Sequence, residues 1–486
     1  MSGCKTQHGA AGVHGKAKIA IDPVTRIEGH LKAEVVVKDG KVADAWLSGG
    51  MFRGFENILV GRDPRDAAQL TQRLCGVCPT AHSTASVMAL DTAFNVKVTD
   101  NGRVTRNLIL GANYMQSHIL HFYHLTALDF VAGPDKAPFV PRLKKPDLRL
   151  PKEINDIAVQ QYVEALDIRR ICHEMVALFG GRMPHIQGQV VGGTTEIPTK
   201  EKLVEYAARF KKVRKFIDET YIPSVYLIGS YYKDLLTFGG GFKNAACFGV
   251  FPNADGSTLF PSGMYIDGKD VPFDPSKIYE DVRYSWFADE TTHLPPNKGK
   301  TVPQVGKEGA YSFVKAPRYD GKSCEVGPLA RMWVMDAPLS PMGKAALKKY
   351  YGLDANTFRD LGDLAWSLLG RHVARAEETW LTANAIEDQW LKEVKAGEET
   401  FVPSEIPETA EGWGFTEAPR GSLLHYIDIK DQKTANYQIV SATLWNACPR
   451  DDQGVRGPIE EALIGVPVDD IDSPVNVGRV IRSFDP

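Results

Sequence analysis

The chain lacks several features that would place it in a special class of protein. It has no run of the roughly 18 apolar residues that a membrane-spanning helix needs, and Met1–His8 have no apolar core, so we expect no secretory signal peptide. Lysine plus arginine (57) nearly balances aspartate plus glutamate (60), and no sustained basic stripe indicates a nucleic-acid partner. Repeats and low-complexity segments are also lacking, which favours a soluble globular protein.

Cysteine is scarce, and its distribution does not predict a disulfide framework, because the seven residues are odd in number and scattered. Cys75 and Cys78 form a CxxC pair, whose spacing suits one metal ion. A structural zinc site commonly needs a second pair, and a thioredoxin-like motif should follow a strand, whereas a predicted helix precedes this pair. We predict metal binding here, a flexible tail containing Cys4, and small buried residues at Cys172, Cys247, Cys324 and Cys448.

The periodicity of apolar residues is mainly helical. Asp39-Gly40, between two β-rich runs, is typical of a hairpin, and Ser473-Pro474 is expected to cap a last helix. We predict a mainly α fold with small peripheral β-sheets, a tail over 1–17 and one domain over 18–486. Predicted helices cover about 64–74, 79–90, 104–131, 152–180, 200–219, 222–236 and 355–395, and predicted strands or hairpins cover 18–22, 31–46, 265–271, 425–430 and 436–440.

The position of Cys78 allows a prediction about the pKa of its thiol. Pro79 begins a predicted helix, and a thiol beside a helix N-terminus faces unpaired amide groups and the positive end of the helix dipole. We therefore expect a lowered pKa and a thiolate at Cys78. Thiolates select soft or borderline metals such as nickel over the hard cations that oxygen ligands prefer.

Several motifs occur in an order that resembles one family. They are Arg26-Ile-Glu-Gly-His30, Arg53-Gly-Phe-Glu56, Arg73-Leu-Cys-Gly-Val-Cys-Pro-Thr-Ala-His82, Pro419-Arg420-Gly421 and the final Phe484-Asp485-Pro486. Together they resemble the large subunit of nickel–iron hydrogenases over nearly the whole chain, from about Lys18 to Pro486. The resemblance implies a helical-bundle core and reversible oxidation of hydrogen to protons and electrons at a buried nickel–iron centre.

The resemblance also implies roles for residues around that centre. Cys75 would be a terminal nickel ligand, and Cys78 would bridge nickel to an iron that carries cyanide and carbon monoxide. Glu28 would carry protons away from the site, although a lone glutamate is more often a surface residue. Arg420 would donate hydrogen bonds to cyanide and pair with Asp485, with a surface turn beside Gly421 as the plain alternative. Pro419 would help to keep this pocket apolar.

Further residues would support the site by resemblance. Glu56 and the backbone carbonyl of Ile439 would hold magnesium or iron, unless Glu56 is merely an ion-pair partner of Arg53 or Arg62. His82 would donate a hydrogen bond towards the bridging thiolate. His118, beside Ser117, is expected near the site. His121 and His124, which share its helical stripe, are expected to be packing residues.

Family members carry a second cysteine pair directly after a Phe-Asp-Pro segment, and the given sequence ends at Pro486. Three explanations are open: further residues follow, the next residue is selenocysteine with its codon read as a stop, or the chain ends there. We favour selenocysteine because a nickel–iron–selenium subclass places it at that position. Ser117, which stands where many nickel–iron members have aspartate, points the same way. A chain without the second pair would keep half a nickel site and be inactive.

The resemblance implies partners as well. No cysteine cluster remains for iron–sulfur ligation, so an iron–sulfur small subunit should bind across a large apolar interface near the metals and pass electrons to a redox protein such as a cytochrome. We expect a periplasmic location, with export and any membrane association through that partner, and the cytoplasm as the alternative. Rival functions are a noncatalytic relative, such as the quinone-site subunit of respiratory complex I, and a zinc-stabilised scaffold; metal content separates them.

Overall fold

The computed structural model describes residues 17–137 and 139–486. The expected flexible tail lies outside the described residues except for Ala17, which begins the first strand. Helices dominate the described chain, as predicted. The helices are α1 (Phe55–Leu59), α2 (Ala67–Leu70), α3 (Pro79–Ala93), α4 (Asp100–Leu120), α5 (Lys152–Gly180), α6 (Lys200–Phe216), α7 (Ile222–Ser230), α8 (Pro328–Met335), α9 (Pro341–Ala346), α10 (Leu368–Ala385), α11 (Leu391–Glu393), α12 (Ala442–Asn446), α13 (Pro458–Ala462) and α14 (Val475–Ser483). No helix among these residues is both long and apolar enough to cross a membrane.

All the strand pairs between named strands are antiparallel and form small sheets. Two three-stranded sheets, in the orders β1-β2-β3 and β13-β14-β15, flank the region described below as the metal centre. The strands are β1 (Ala17–Ile21), β2 (Leu31–Lys38), β3 (Lys41–Gly49), β4 (Gln189–Val190), β5 (Gly193–Thr194), β6 (Ala245–Cys247), β7 (Val250–Pro252), β8 (Thr258–Phe260), β9 (Gly263–Ile266), β10 (Lys269–Val271), β11 (Ile278–Asp281), β12 (Ala316–Tyr319), β13 (Thr409–Ala418), β14 (Gly421–Lys430) and β15 (Lys433–Val440).

The predicted turn between β2 and β3 is confirmed. Asp39 and Gly40 both have positive φ, 51° and 73°, which is the conformation of a two-residue hairpin turn that matches the twist of its strands. The prediction of one continuous helix over 355–395 is wrong in its first part. Gly362 has non-helical backbone angles, and α10 begins only at Leu368, where the Ser367 hydroxyl caps it by accepting from the Gly370 amide.

Sequence reasoning misassigned the start of the last helix. The Ser473 hydroxyl donates to the Lys145 carbonyl instead of capping α14, whose N-cap is Pro474. The small β13–β15 sheet lies against α3, and residues 421–427 of β14 are all buried. A Cβ atom on Gly414 would come 2.0 Å from the Ala85 carbonyl oxygen of α3, so only glycine permits this close approach.

One buried carboxylate joins the two ends of the described chain. Asp129, the last residue of the short helical turns that extend α4, accepts hydrogen bonds from Arg26 (2.6 Å) and, through both oxygens, from Arg482 of α14 (2.7 Å each). Burial opposes the charge of Asp129, but Arg482 and Arg26 together lower its pKa to about 2. The loop that precedes β2 is thereby held against the last helix.

We predict that Asp129→Asn destabilises the protein strongly, because it leaves the Arg482 guanidinium buried without a counter-charge. Removing one partner of a buried ion pair costs about 3–5 kcal/mol, measurable by urea unfolding. Since the folded-state pKa is depressed, this stabilisation is present above the ordinary aspartate pKa and is lost as pH falls through about 2. The matched control is Asp270→Asn, which removes an exposed pair with Arg359 and should cost at most about 1 kcal/mol. Equal effects of the two substitutions would contradict the prediction.

Candidate metal centre

The CxxC segment folds as a turn that presents both sulfurs to one cavity. A 3-10 turn over Thr71–Leu74 leads into Cys75, and Cys78 is the N-cap residue of α3. The Cys78 amide donates a hydrogen bond to the Cys75 sulfur at 3.2 Å. Neither cysteine forms a disulfide. Two free soft donors therefore face the same space, as the sequence predicted.

The expectation that Cys78 is the thiolate of the pair is wrong in the described structure. The thiol of Cys78 donates to the Cys75 sulfur, which lowers the pKa of Cys75 to about 7, with Arg420 and the Cys78 amide acting in the same direction. That donated hydrogen bond, together with burial, raises the pKa of Cys78 well above its ordinary value. The N-terminus of α3 thus helps to lower the pKa of Cys75, because the Cys78 amide donates to the Cys75 sulfur.

A cavity of about 330 Å³ collects most of the predicted site residues. Its walls come from segments far apart in the chain, and the last residue, Pro486, belongs to them. The site residues that line it are Glu28, Glu56, Cys75, Cys78, His82, Arg420 and Ile439. Within the described residues no group of three or more histidine, cysteine or carboxylate side chains is placed to hold one metal ion, so the CxxC pair is the donor set that this part of the chain offers.

Arg420 lies at the two-residue turn between β13 and β14, yet it is only 4% exposed. Its Nη2 donates to Asp485 at 2.8 Å, so the predicted pairing is confirmed, and its Nη1 lies 3.5 Å from the Ser117 hydroxyl. The Arg420 Nε and the second Asp485 oxygen are buried without a partner in the described residues. A donor left unpaired at the cavity wall fits a bound group with hydrogen-bond acceptors, such as the diatomic ligands of an iron.

Glu28 lies in the wall of the same cavity. Its amide donates to the Pro486 carbonyl at 3.1 Å, and its side chain is half-buried at the cavity wall. Burial raises the pKa of Glu28, while Arg420 opposes the shift. A raised pKa brings a carboxyl group closer to the range in which it both takes up and releases a proton.

The ion pair of Glu56 with Arg53 or Arg62, which was the alternative to a cation site, does not occur among the described residues, where both arginines donate to backbone carbonyls. Glu56 instead accepts a hydrogen bond from the Ile439 amide at 2.9 Å and another from the Thr301 hydroxyl. Ile439 thus contributes its N–H to Glu56. Because the N–H and C=O of one strand residue leave on the same side, the Ile439 carbonyl also faces away from β14.

The remaining predicted residues lie around this cavity in different ways. The His82 Nδ1 is 3.2 Å from the His425 Nε2, and a contact with the thiolate stays a prediction. Pro419 is buried, and its carbonyl accepts from Arg331. His118 is buried with its Nε2 3.5 Å from Glu378. The packing residues of the same stripe, His121 and His124, bond to the carbonyls of Arg482 and Tyr162.

Sequence reasoning missed the buried partners of the site. Asp129, Arg375 and His425 have no local motif, because each meets a partner that is far away in the sequence. One signal for Arg375 was present in the sequence. The segment that forms α10 contains several charged residues among apolar ones, and the structure buries Arg371, Arg375, Glu377 and Glu378. Cys172, Cys247, Cys324 and Cys448 are buried, as predicted.

Comparisons with known proteins agree with this arrangement. A family model described as nickel-dependent hydrogenase matches residues 53–134 and 132–486, and one described as HoxL-like matches 18–48. The chain is 64% identical to the periplasmic [NiFeSe] hydrogenase large subunit of Desulfomicrobium baculatum, over 97% of this chain and 94% of that protein. It is 36% identical to the hydrogenase-2 large chain of Escherichia coli K12, over 96% of each. The solved Ni-Fe-Se hydrogenase of D. vulgaris Hildenborough superposes with a TM-score of 0.96 at 70% identity, covering 97% of this chain and 98% of that one.

We predict that Cys75→Ser and Cys78→Ser each lose the bound metal, because a hydroxyl cannot replace a soft thiolate donor. Nickel, iron and zinc are measured in the purified protein by plasma mass spectrometry, and nickel and iron should fall to background in both variants. Cys324→Ala, at a buried cysteine whose thiol donates to the Lys322 carbonyl, should keep its metals. Full nickel in either CxxC variant, or zinc as the metal of the unaltered protein, would contradict the assignment.

Proposed function

The chain belongs to the nickel-dependent hydrogenase family, and we propose that it houses the site at which hydrogen is split reversibly into protons and electrons. It is an oxidoreductase acting on hydrogen, with a nickel–iron centre. The observation that carries the proposal is the meeting of the CxxC sulfurs, Glu28 and Arg420 in one cavity. We also propose that residues 18–486 act as one catalytic domain, because the loop around Glu28 near its start and Pro486 at its end both line this cavity.

Each residue would have a distinct task. Cys75 would hold nickel as a terminal ligand, and Cys78 would be shared between nickel and iron. When bound, the pair of metals supplies the Lewis acidity and redox capacity that splitting hydrogen requires. Arg420, with an unpaired Nε, would donate to cyanide on the iron, beside carbon monoxide, and Asp485 would keep the guanidinium oriented. A selenium ligand from selenocysteine is proposed because two of the proteins named above, those of D. baculatum and D. vulgaris, are nickel–iron–selenium hydrogenases by name.

Glu28 would receive the proton released at the site. Its half-buried position at the cavity wall and its raised pKa support this role. The hydrogen bond from its amide to Pro486 fixes the loop on which it stands. Glu28 can therefore exchange protons with the cavity without a large movement of the backbone.

Electrons would leave through a second chain. Members of this family pair with a small subunit, and we propose that its iron–sulfur clusters receive the electrons and pass them to a cytochrome. Met51 and Phe52, which line the cavity and are exposed, are apolar residues suited to that interface. We propose a periplasmic location, as in the D. baculatum relative's name. Reduction of a periplasmic cytochrome by the purified pair under hydrogen tests the electron path.

We predict that Glu28→Gln lowers hydrogen oxidation by about 10²- to 10⁴-fold, the usual contribution of a proton-transfer group. The amide keeps the shape of the side chain but cannot take up the proton. Activity is measured with an artificial electron acceptor, and metal content should be unchanged. Glu34→Gln, at a glutamate of β2 paired with Lys18, is the control and should keep full activity. An active Glu28→Gln protein would remove Glu28 from the proton path.

The proposal also predicts an elemental composition. The purified native enzyme should contain nickel, selenium and, held by Glu56 and the Ile439 carbonyl, one magnesium or additional iron ion. Glu56→Gln should lose this last ion and retain nickel, because an uncharged amide is a weaker ligand for a hard cation. Absence of selenium would place the chain with the sulfur-only nickel–iron enzymes, and retention of the third ion in Glu56→Gln would remove Glu56 from that site.

A further inference from the structure

A buried chain of hydrogen-bonding side chains leads from the cavity into the protein. His82, at the cavity wall, has its Nδ1 3.2 Å from the Nε2 of His425 on β14. The Nδ1 of His425 lies 2.8 Å from the hydroxyl of Tyr437 on β15. The Tyr437 hydroxyl lies 3.1 Å from the hydroxyl of Ser86, one turn after His82 on α3. The four side chains thus form a continuous row between α3 and the β13–β15 sheet.

This row ends inside the protein. His425, Tyr437 and Ser86 are fully buried, and His82 is 5% exposed. The last hydroxyl, that of Ser86, has Tyr437 as its side-chain partner in the described residues. A row that ends in the core cannot deliver protons to solvent. Its use must lie in how it orders the hydrogens of its own members.

The two imidazole nitrogens that face each other, His82 Nδ1 and His425 Nε2, lie within hydrogen-bond distance, so one of them carries a hydrogen and donates while the other accepts. The row therefore allows two directions of donation. Either the Tyr437 hydroxyl donates to His425 and His425 donates to His82, or all of these hydrogen bonds are reversed.

Elementary acidity decides between the two directions. A phenol is a far stronger acid than a serine hydroxyl, and an imidazole nitrogen is a far better acceptor than a hydroxyl oxygen. The best match is therefore donation from the Tyr437 hydroxyl to the His425 Nδ1, which is also the shorter of the two contacts of that hydroxyl. Ser86 then donates to Tyr437, His425 donates through Nε2, and His82 accepts at Nδ1.

We propose that Tyr437 is a positioning residue: by fixing the tautomers of His425 and His82, it makes His82 present an Nε2–H donor to the cavity that holds the CxxC sulfurs. Cys78 and His82 are four residues apart at the start of α3, a spacing that places them on the same face of the helix. An N–H aimed at a thiolate lowers its electron density and so tunes the metal that it binds. The proposal deepens the proposed function and depends on it.

Neutron diffraction from the deuterated enzyme with its partner subunit tests the proposal directly. The expected map shows deuterons on the Nε2 of both His82 and His425 and none on either Nδ1. Deuterons on the Nδ1 of both rings would overturn the proposal. This result is independent of catalysis, so a failure of hydrogen oxidation would overturn the proposed function while leaving the assignment of tautomers decided.

Tyr437→Phe provides the second test, because it removes the hydroxyl and nothing else. We expect kcat to fall about 10- to 100-fold, as for other residues that orient a metal ligand, with an unchanged KM for hydrogen and mixed deuteration of His82. Tyr206→Phe is the matched control, since it also removes a buried tyrosine hydroxyl. The hydroxyl of Tyr206 donates to the Leu108 carbonyl, and Tyr206 does not line the cavity. Wild-type kcat and tautomers in Tyr437→Phe would overturn the proposal, as would an equal loss in Tyr206→Phe.

Discussion

The structure depends on the compensation of charges that are buried where the two ends of the described chain meet. Asp129 neutralises Arg482 on the last helix and Arg26 on the first loop, and Asp485 neutralises Arg420. A buried charge without its partner costs several kcal/mol, so each pair closes only when both segments are in place. The cavity wall made by Glu28 and Pro486 is therefore a consequence of electrostatic closure as much as of apolar packing.

Much of the site could be predicted from sequence because its chemistry is local. The CxxC pair, the proline that begins α3 and the Asp39-Gly40 turn each determine their geometry within a few residues. Ser473 and the cysteine thiolate show where local reasoning fails. The Ser473 hydroxyl donates to the backbone carbonyl of Lys145, a residue that is distant in sequence. The pKa of Cys75, and not that of Cys78, is lowered, chiefly because the Cys78 thiol donates to the Cys75 sulfur, with the Cys78 amide acting in the same direction.

The rest could not be predicted because it depends on contacts between residues far apart in the chain. Arg420 lies on a tight turn, where the local pattern favours a surface position. Only the resemblance to the family indicated a place at the buried centre, and in the structure Arg420 is buried and paired with Asp485. Ile439 was expected to offer a carbonyl to a cation, and the described contact is its amide to Glu56. The contact between Glu56 and Ile439 depends on which edge of β15 faces α1. No sequence pattern within α1 or β15 specifies that edge.

Glu28 and the row that begins at His82 both extend from the cavity, and the place where each one ends indicates a different function. Glu28 is half-buried and lies on a loop at the surface of the domain, so a proton that it receives can continue outward. The row from His82 ends at Ser86 in the core, so it can only hold an arrangement of hydrogens. A catalytic site that both moves protons and keeps its metal potential constant needs these two functions on different residues, because a group that exchanges protons cannot at the same time offer a constant hydrogen bond to a thiolate.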